Sequence, residues 1–380
     1  MHVGGARPNF MKVAPVMAAV DAWNAAPPGD VRFEQILVHT GQHYDAAMSQ
    51  VFLDELRMPE PQEHLGVGSG TQAAQMARLL ERLEPVVQRH APDLVVVPGD
   101  VNSTCAAAFV ASRLGVAVAH LESGLRSGDR SMPEEINRII VDHVADLLLT
   151  TCQDADLNLM REGLPAERVV RVGNTMMDSL FCLLPKAKDG AGVAKSRLGL
   201  TGKPFVLVTI HRPSNVDDPE RLRDVLAVLM DLAQQITVVF PMHLRTSDRV
   251  ARLRTEGGAA GGAFVVCAPL GYLEFVGLMS EASAVLTDSG GVQEETTALG
   301  VPCVTLRTTT ERPITVTLGT NELVDPSDAG AIVAAVRAAA ARDRPATPPV
   351  IPLWDGHASE RVVKALASWA RRAEREALTS

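Results

Sequence analysis

Short apolar runs rich in β-branched residues recur along almost the whole chain, and the stretches between them carry helical periodicity. In the first half the runs are Ile36-Leu37-Val38, Leu94-Val95-Val96-Val97, Val116-Ala117-Val118-Ala119 and Leu147-Leu148-Leu149. The second half repeats the scheme with Phe205-Val206-Leu207-Val208, Ile236-Thr237-Val238-Val239-Phe240, Phe264-Val265-Val266-Cys267 and Ala284-Val285-Leu286-Thr287. Strands apolar at consecutive positions must be covered on both faces, which is the condition of a parallel sheet flanked by helices. The expected class is therefore α/β, with two Rossmann-like, doubly wound domains. A length of 380 residues allows each to bury its own core. The turn-forming and charged segment Pro185-Lys186-Ala187-Lys188-Asp189-Gly190-Ala191-Gly192 interrupts the pattern, placing an N-terminal domain over 1–184 and a C-terminal one over 185–357. Beyond it, Ser359-Glu360-Arg361-Val362-Val363-Lys364-Ala365-Leu366 begins an amphipathic helix, 358–380, expected to pack back on the first domain. Open α/β sheets bind ligands beyond the carboxyl ends of their strands, so the site is expected in a cleft that the two domains face.

Composition narrows the ligands. Hydrophobic residues make up 46% of the chain, charged residues 21%, and the net charge is −9, which leaves no basic footprint for nucleic acid. Anion binding must then be local. The five cysteines (Cys105, Cys152, Cys182, Cys267 and Cys303) form no Cys-x-x-Cys pair, arguing against a disulfide framework or a zinc ribbon and for a reducing cytoplasm. No apolar run approaches the ~20 residues of a membrane span, and no signal sequence is expected. The ten histidines never fall at ligand spacing with carboxylates or thiols, so no metal is expected, and no cofactor either. Only Met1, His2 and Val3 precede Gly4, short for a first strand, and the expectation is that this start lacks a few residues.

The sharpest local signal is Ala284-Val285-Leu286-Thr287-Asp288-Ser289-Gly290-Gly291-Val292-Gln293-Glu294-Glu295, a strand that breaks into a turn and opens a helix. At Ser289, Gly290 and Gly291 backbone N–H groups could approach an anion beside the positive end of the helix dipole. Glu294 and Glu295, one turn in, would be repelled by a diphosphate and suit a ribose better. An ordinary strand-turn-helix connection explains the stretch equally well. Gly4-Gly5-Ala6-Arg7-Pro8-Asn9-Phe10-Met11-Lys12 offers Arg7 and Lys12 to a phosphate, or is a glycine turn with solvated charges. Asp100 and Glu122 each follow a strand directly, and their side chains could meet at one sheet edge. The alternatives are an Asx turn for Asp100 and a pair with Arg126 for Glu122. Ser131-Met132-Pro133-Glu134 reads as a capping box, with Ser131 as N-cap and Glu134 returning a hydrogen bond, four residues before Arg138. His211 and His243 end successive strands of the second half, where each could bind phosphate, move a proton or be a hydrogen-bonded loop histidine. Arg307 and Arg312 flank Thr308-Thr309-Thr310-Glu311 as a further cationic group, suited to a diphosphate or to solvent.

Taken in order, these segments resemble the non-hydrolysing UDP-N-acetylglucosamine 2-epimerases. The resemblance runs through Gly5-Ala6-Arg7-Pro8-Asn9-Phe10-Met11-Lys12, Gly99-Asp100-Val101-Asn102-Ser103-Thr104 and His120-Leu121-Glu122-Ser123-Gly124-Leu125-Arg126-Ser127. It continues in Met132-Pro133-Glu134-Glu135-Ile136-Asn137-Arg138, Val172-Gly173-Asn174-Thr175-Met176-Met177-Asp178 and His211-Arg212-Pro213-Ser214-Asn215-Val216. The turn at 288–295 and Thr310-Glu311-Arg312-Pro313 complete it. The resemblance implies a fold like that of B-type glycosyltransferases, a homodimer, and a UDP-sugar as ligand. It implies that Asp100, Glu122, Glu134 and His211 line the reacting sugar. To UDP it assigns Arg7, Lys12, Ser289, Gly290, Gly291, Glu295 and Arg312, with Phe275 near the uracil; His243 is placed with them. Glu134 and Glu135 compete for the capping and proton-transfer roles.

Departures from the family pattern are Ala6, Asn9 and Ser123. In addition, Gly68-Ser69-Gly70-Thr71-Gln72 stands where many bacterial members carry an Arg-Gln pair of a regulatory site; Gln42 and His43 remain, and activation by substrate is thereby put in question. The implied reaction is 2-epimerisation, with UDP leaving to give 2-acetamidoglucal and then re-adding. A hydrolysing epimerase, a glycosyltransferase of the same fold and a non-catalytic nucleotide-sugar sensor are the rivals. Four ionisable groups at the sugar favour the first reading.

Overall fold

The computed structural model describes residues 1–41, 53, 55–212, 215, 218–242 and 264–379, with the side chains of Arg7 and of 376–379 outside the description. The chain divides into two compact units, Met1–Leu180 with Pro352–Ser380, and Phe181–Ile351.

The first unit is built on a parallel sheet of β1 (His2–Gly4), β2 (Leu37–His39), β3 (Glu63–His64), β4 (Leu94–Pro98), β5 (Ala117–Ser123), β6 (Leu147–Thr150) and β7 (Val169–Arg171), in the order β3-β2-β1-β4-β5-β6-β7. The strand order changes its direction of progression between β1 and β4, the position at which doubly wound sheets bind ligands. Val95 and Val97 of β4 face one core with Val118 and Leu148, whereas Val96 faces the other with Ala119, Leu121, Leu147 and Leu149. Helix Asn102–Arg113 closes the first face. Its Ala106, Ala107, Ala108 and Ala111 are fully buried, and these small side chains let it lie close between its neighbours.

The second face is closed by helix Arg7–Ala25 and by helix Ala358–Thr379, which brings Val362 and Leu366 against Val16 and Val96. The entry of this last helix is fixed by one carboxylate. Asp178 accepts the Ala358 N–H at 3.1 Å, the Ser359 N–H at 2.7 Å and the Ser359 hydroxyl at 2.6 Å, satisfying donors that a helix start leaves unpaired.

The second unit repeats the plan. Its parallel sheet comprises β8 (Phe205–Thr209), β9 (Thr237–Pro241), β10 (Phe264–Cys267), β11 (Ala284–Thr287), β12 (Cys303–Leu306) and β13 (Asn321–Val324), ordered β10-β9-β8-β11-β12-β13. The reversal here lies between β8 and β11. Every apolar run expected to be a strand is one, and both units have the doubly wound form.

The expected break at Pro185-Lys186-Ala187-Lys188-Asp189-Gly190-Ala191-Gly192 is absent, because helix Thr175–Arg197 runs straight through it. Proline inside a helix costs about 3 kcal/mol. Burial of Leu183, Ala187, Ala191 and Ala194 at helical spacing offsets that, as do ion pairs from Lys195 to Glu281 and from Arg197 to Glu274. The division between units accordingly falls inside a continuous helix. Among the described residues no helix is long and apolar enough to cross a membrane.

Replacing Asp178 by Ala should strip the first turn of helix Ala358–Thr379 of its acceptor and destabilise the first unit by about 1–3 kcal/mol. A denaturant transition at the parental midpoint would contradict this.

Candidate active site

In the first unit, the turns beyond β1, β4 and β5 bring together groups that are far apart in sequence. Lys12, from helix Arg7–Ala25, forms an ion pair with Glu122 at the end of β5, and each side chain is only 6% exposed. Space for this pair depends on Gly99. It sits at φ +65°, and a Cβ there would lie 2.8 Å from Lys12 Nζ and 3.2 Å from Glu122 Oε2. Asn9 stitches the same turns, accepting the Gly5 and Ala6 N–H groups at 3.2 and 3.0 Å and donating to the Pro98 carbonyl at 3.1 Å.

Glu122 itself is strained. Register shifts between Leu121 and Ser123 in the β5–β6 pairing, and Glu122 takes φ +68°, a left-handed conformation that costs a non-glycine residue roughly 1–3 kcal/mol. A bulge of this kind re-aims a side chain that strand alternation would otherwise fix. The alternative, a pair with Arg126, is not found among the described contacts. Arg126 instead contacts Asp142 and Glu162, each at 2.7 Å, because Lys12 occupies the Glu122 carboxylate. Burial pushes the Asp142 carboxyl up, but His120 and Arg126 together outweigh it and hold Asp142 below the usual range.

Asp100 lies in the adjacent turn, its carboxylate 2.5 Å from Arg138. Arg138 also holds Glu135 at 2.6 Å, and here the expected capping box needs correction. Helix Pro133–Val144 has Met132 as N-cap, with no side-chain cap bond, so the third position is Glu135 and not Glu134. Glu135 reaches back to accept the Ser127 N–H at 2.9 Å, the Ser127 hydroxyl at 3.0 Å and the Gly128 N–H at 2.9 Å. Glu134 is thereby released from capping and from Arg138, and is half-buried at the helix start. Glu135 serves the fold, and Glu134 is left without a capping role.

In the second unit, Asp288 ends β11 fully buried. It accepts the His211 and Arg212 N–H groups at 3.1 and 2.9 Å and the Asn215 amide at 2.9 Å, and the His211 ring stands 3.0 Å away. Burial pushes its carboxyl up, yet these hydrogen bonds and the ring hold it below the usual range. His211 is 64% exposed and open to a ligand.

The expected anion seat at 289–291 is partly used by the fold. The Ser289 N–H donates to Thr287 Oγ1 at 3.0 Å, leaving the start of helix Gly290–Leu299 as donor. Gly290 is needed for close approach, since a Cβ there would be 2.5 Å from both Arg312 Nη1 and Glu311 Oε1. Arg312 pairs with Glu311 and, at 2.9 Å, with Glu294; Arg307 holds the other Glu311 oxygen at 2.7 Å. Two guanidinium groups thus meet two carboxylates. Among the described residues Glu295 has no such partner. It accepts the Tyr272 hydroxyl at 2.8 Å, and burial pushes its carboxyl up to about 7. Phe275 is half-buried on the same helix as Tyr272, Tyr272–Glu281.

His243, Gln42 and His43, and the side chain of Arg7, lie outside the described residues. Among the described residues no three His, Cys, Asp or Glu side chains are placed to hold a metal ion. Groups that the sequence left unmarked include Asn9, His120, Arg138, Asp142, Asp288 and Glu311, all buried. His120 and Arg138 lie inside recognised segments and could have been singled out there; Asp142 sits on a helix with no local signal.

The family model described as UDP-N-acetylglucosamine 2-epimerase matches residues 28–367. The chain belongs to this epimerase family. The UDP-N-acetylglucosamine 2-epimerase of Methanocaldococcus jannaschii is 39% identical over 324 residues, covering 84% of this chain and 86% of that protein. The UDP-2,3-diacetamido-2,3-dideoxy-D-glucuronate 2-epimerase of Pseudomonas aeruginosa is 40% identical over 323 residues, covering 84% and 86%. The crystal structure of the Methanocaldococcus jannaschii UDP-GlcNAc 2-epimerase in complex with UDP-GlcNAc and UDP superposes with a TM-score of 0.85 at 36% identity, covering 97% of this chain and 99% of that one. With these epimerases the chain shares the fold of B-type glycosyltransferases.

Exchanging the two neighbouring glutamates should separate their roles. Glu135→Gln should destabilise the protein by about 2–4 kcal/mol, and Glu134→Gln by less than about 0.5 kcal/mol, in denaturant titrations. Equal losses would contradict the assignment. Glu295 gives a pH signature. Its folded value is raised above the ordinary 4.5, so its contribution to stability is complete below that value and lost as pH climbs to about 7. Relative to Glu295→Gln, the parent should lose on the order of 3 kcal/mol between the two pH limits, measured by thermal melts. A difference independent of pH would refute it.

Proposed function

We propose that this protein is an isomerase that interconverts UDP-N-acetylglucosamine and UDP-N-acetylmannosamine. The observation that carries the reading is the strained, buried Glu122 paired with Lys12 beside Asp100, in a chain 39% identical to a UDP-N-acetylglucosamine 2-epimerase. Strain held at a carboxylate beyond a strand's carboxyl end has no use in the sheet and suits chemistry.

The hydrogen at the sugar's C2 has no adjacent carbonyl to acidify it. Departure of UDP comes first: the C1–O bond breaks with its electron pair going to the diphosphate, and C1 becomes electron-deficient. A carboxylate then takes the C2 proton, and the C1–C2 double bond of 2-acetamidoglucal forms. Return of a proton to the opposite face and re-addition of UDP at C1 complete the inversion. Asp100, Glu122 and Glu134 are assigned to the proton, with Lys12 paired to Glu122 and Arg138 to Asp100, and His211 to the sugar. Arg7, Lys12, His243, Arg312 and the start of helix Gly290–Leu299 are assigned to the leaving diphosphate, Glu295 to the ribose and Phe275 to the uracil. Arg312 would exchange a glutamate for a phosphate oxygen when UDP binds. Domains 1–184 with 358–380 and 185–357 are proposed as the sugar and UDP sides.

The Pseudomonas aeruginosa relative supports a second reading, the same C2 inversion on UDP-2,3-diacetamido-2,3-dideoxy-D-glucuronate. A cytoplasmic location is supported by five cysteines that are all free. A homodimer is proposed on family membership, and light scattering tests it.

The deciding experiment is incubation with either UDP-sugar in D2O, followed by NMR. Expected is deuterium at C2 with the sugar still joined to UDP. Release of free sugar would replace the reading by hydrolysis, and an unchanged C2–H would remove it. Asp100→Asn, Glu122→Gln and Glu134→Gln should each slow exchange by about 100- to 10,000-fold. Parental exchange in all three would remove the assigned roles.

A further inference from the structure

His120 is the most deeply buried titratable ring of the first unit that the proposed chemistry leaves unused. Its side chain and that of Asp142 are both 0% exposed. Nδ1 lies 2.6 Å from Asp142 Oδ1, and Nε2 lies 2.7 Å from the Gly99 carbonyl oxygen. A carbonyl oxygen can only accept. Asp142 is likewise an acceptor, because its other oxygen already takes the Gly124 N–H at 3.0 Å and the Arg126 guanidinium at 2.7 Å. Both ring nitrogens therefore donate, and the ring carries both protons as an imidazolium. Its charge is matched within the cluster, where His120 and Arg126 meet Asp142 and Glu162.

The cluster sits where it can set geometry. The Gly99 carbonyl belongs to the peptide that leads into Asp100, so the Nε2–H bond fixes the plane from which Asp100 projects. Through Asp142 the same ring fixes Gly124, two residues past the left-handed Glu122. The Gly99 N–H, in turn, donates to the Leu121 carbonyl at 2.9 Å, which closes the loop between the two turns. A left-handed glutamate persists only where its surroundings over-determine it, and this ring supplies contacts on both sides.

We propose that His120, held as a buried imidazolium by Asp142, is a positioning residue for the epimerisation, locking the Gly99–Asp100 peptide and the Glu122 turn in their reactive geometry. The proposal rests on the epimerase reading above, and it makes no contact with substrate. Misplacement of a reacting group by about 1 Å costs on the order of 100-fold in rate.

Two half-replacements test it. His120→Asn keeps a donor at the Nδ1 position, toward Asp142, and loses the Gly99 bond; His120→Gln keeps a donor near the Nε2 position and loses Asp142. Each variant is measured for UDP affinity by calorimetry, for kcat and KM, and for C2 deuteration counted per UDP-binding site, which removes any unfolded fraction. Expected is a fall in kcat and exchange of about 100-fold, with KM and UDP affinity within about threefold of the parent. Asp142→Asn should reproduce the loss. Nitrogen-15 NMR of the parent should find both His120 ring nitrogens protonated at neutral pH. Parental exchange per site in both His120 variants, or a singly protonated ring in the parent, overturns the proposal. A parent that exchanges no C2 hydrogen removes the epimerase reading beneath it, and an active parent with unaffected variants removes this proposal alone.

Discussion

A parallel strand covered on both faces has no room for uncompensated charge along its length, and that restriction arranges the chemistry of this protein. β4, β5, β8 and β11 are buried throughout or nearly so; β4, β8 and β11 keep their polar residues to the last positions or just beyond, and β5 carries one within its length, His120, which is matched by Asp142. Asp100, Glu122, His211 and Asp288 all stand at such ends. Each sheet therefore concentrates ionisable groups at the carboxyl ends of its strands. Backbone groups freed where the ladder stops, such as the Gly124, His211 and Arg212 N–H groups, are taken by the buried carboxylates Asp142 and Asp288.

Buried charge must be compensated where it sits. Each cluster meets this condition locally: Lys12 with Glu122, Arg138 with Asp100 and Glu135, His120 and Arg126 with Asp142 and Glu162, Arg307 and Arg312 with Glu294 and Glu311. The second unit thus presents a matched set, not a bare positive cradle, and the anion site proposed there requires a ligand to displace a carboxylate. Glu295 differs, a buried carboxyl answered among the described residues by a neutral phenol, and burial pushes it up to about 7.

Strands were legible because consecutive apolar residues leave a parallel sheet as the economical arrangement, while the short β3 and β7 carry too few such residues to register. The helix through Pro185 was hidden because its buried positions beyond that proline are all alanine, whose volume gives almost no periodic signal. Reading Ser131 as a cap placed the reciprocal glutamate one residue early; the helix begins after Met132, and a shift of one position exchanges the structural and the chemical glutamate. The left-handed Glu122 had no signal at all, since such a conformation is announced in sequence by glycine or asparagine. Long-range partners such as Asp142 and Glu311 are set by tertiary packing, and no local spacing marks them.

The first unit is interrupted by the whole of the second, and this orders events during synthesis. A nascent chain exposes Val16, Val96, Leu147 and Leu149 long before Val362 and Leu366 leave the ribosome to cover them. The contiguous second unit can mature while the first waits with an open apolar face. Passage through that interval, more than final stability, is where chaperone demand and aggregation of this protein should concentrate.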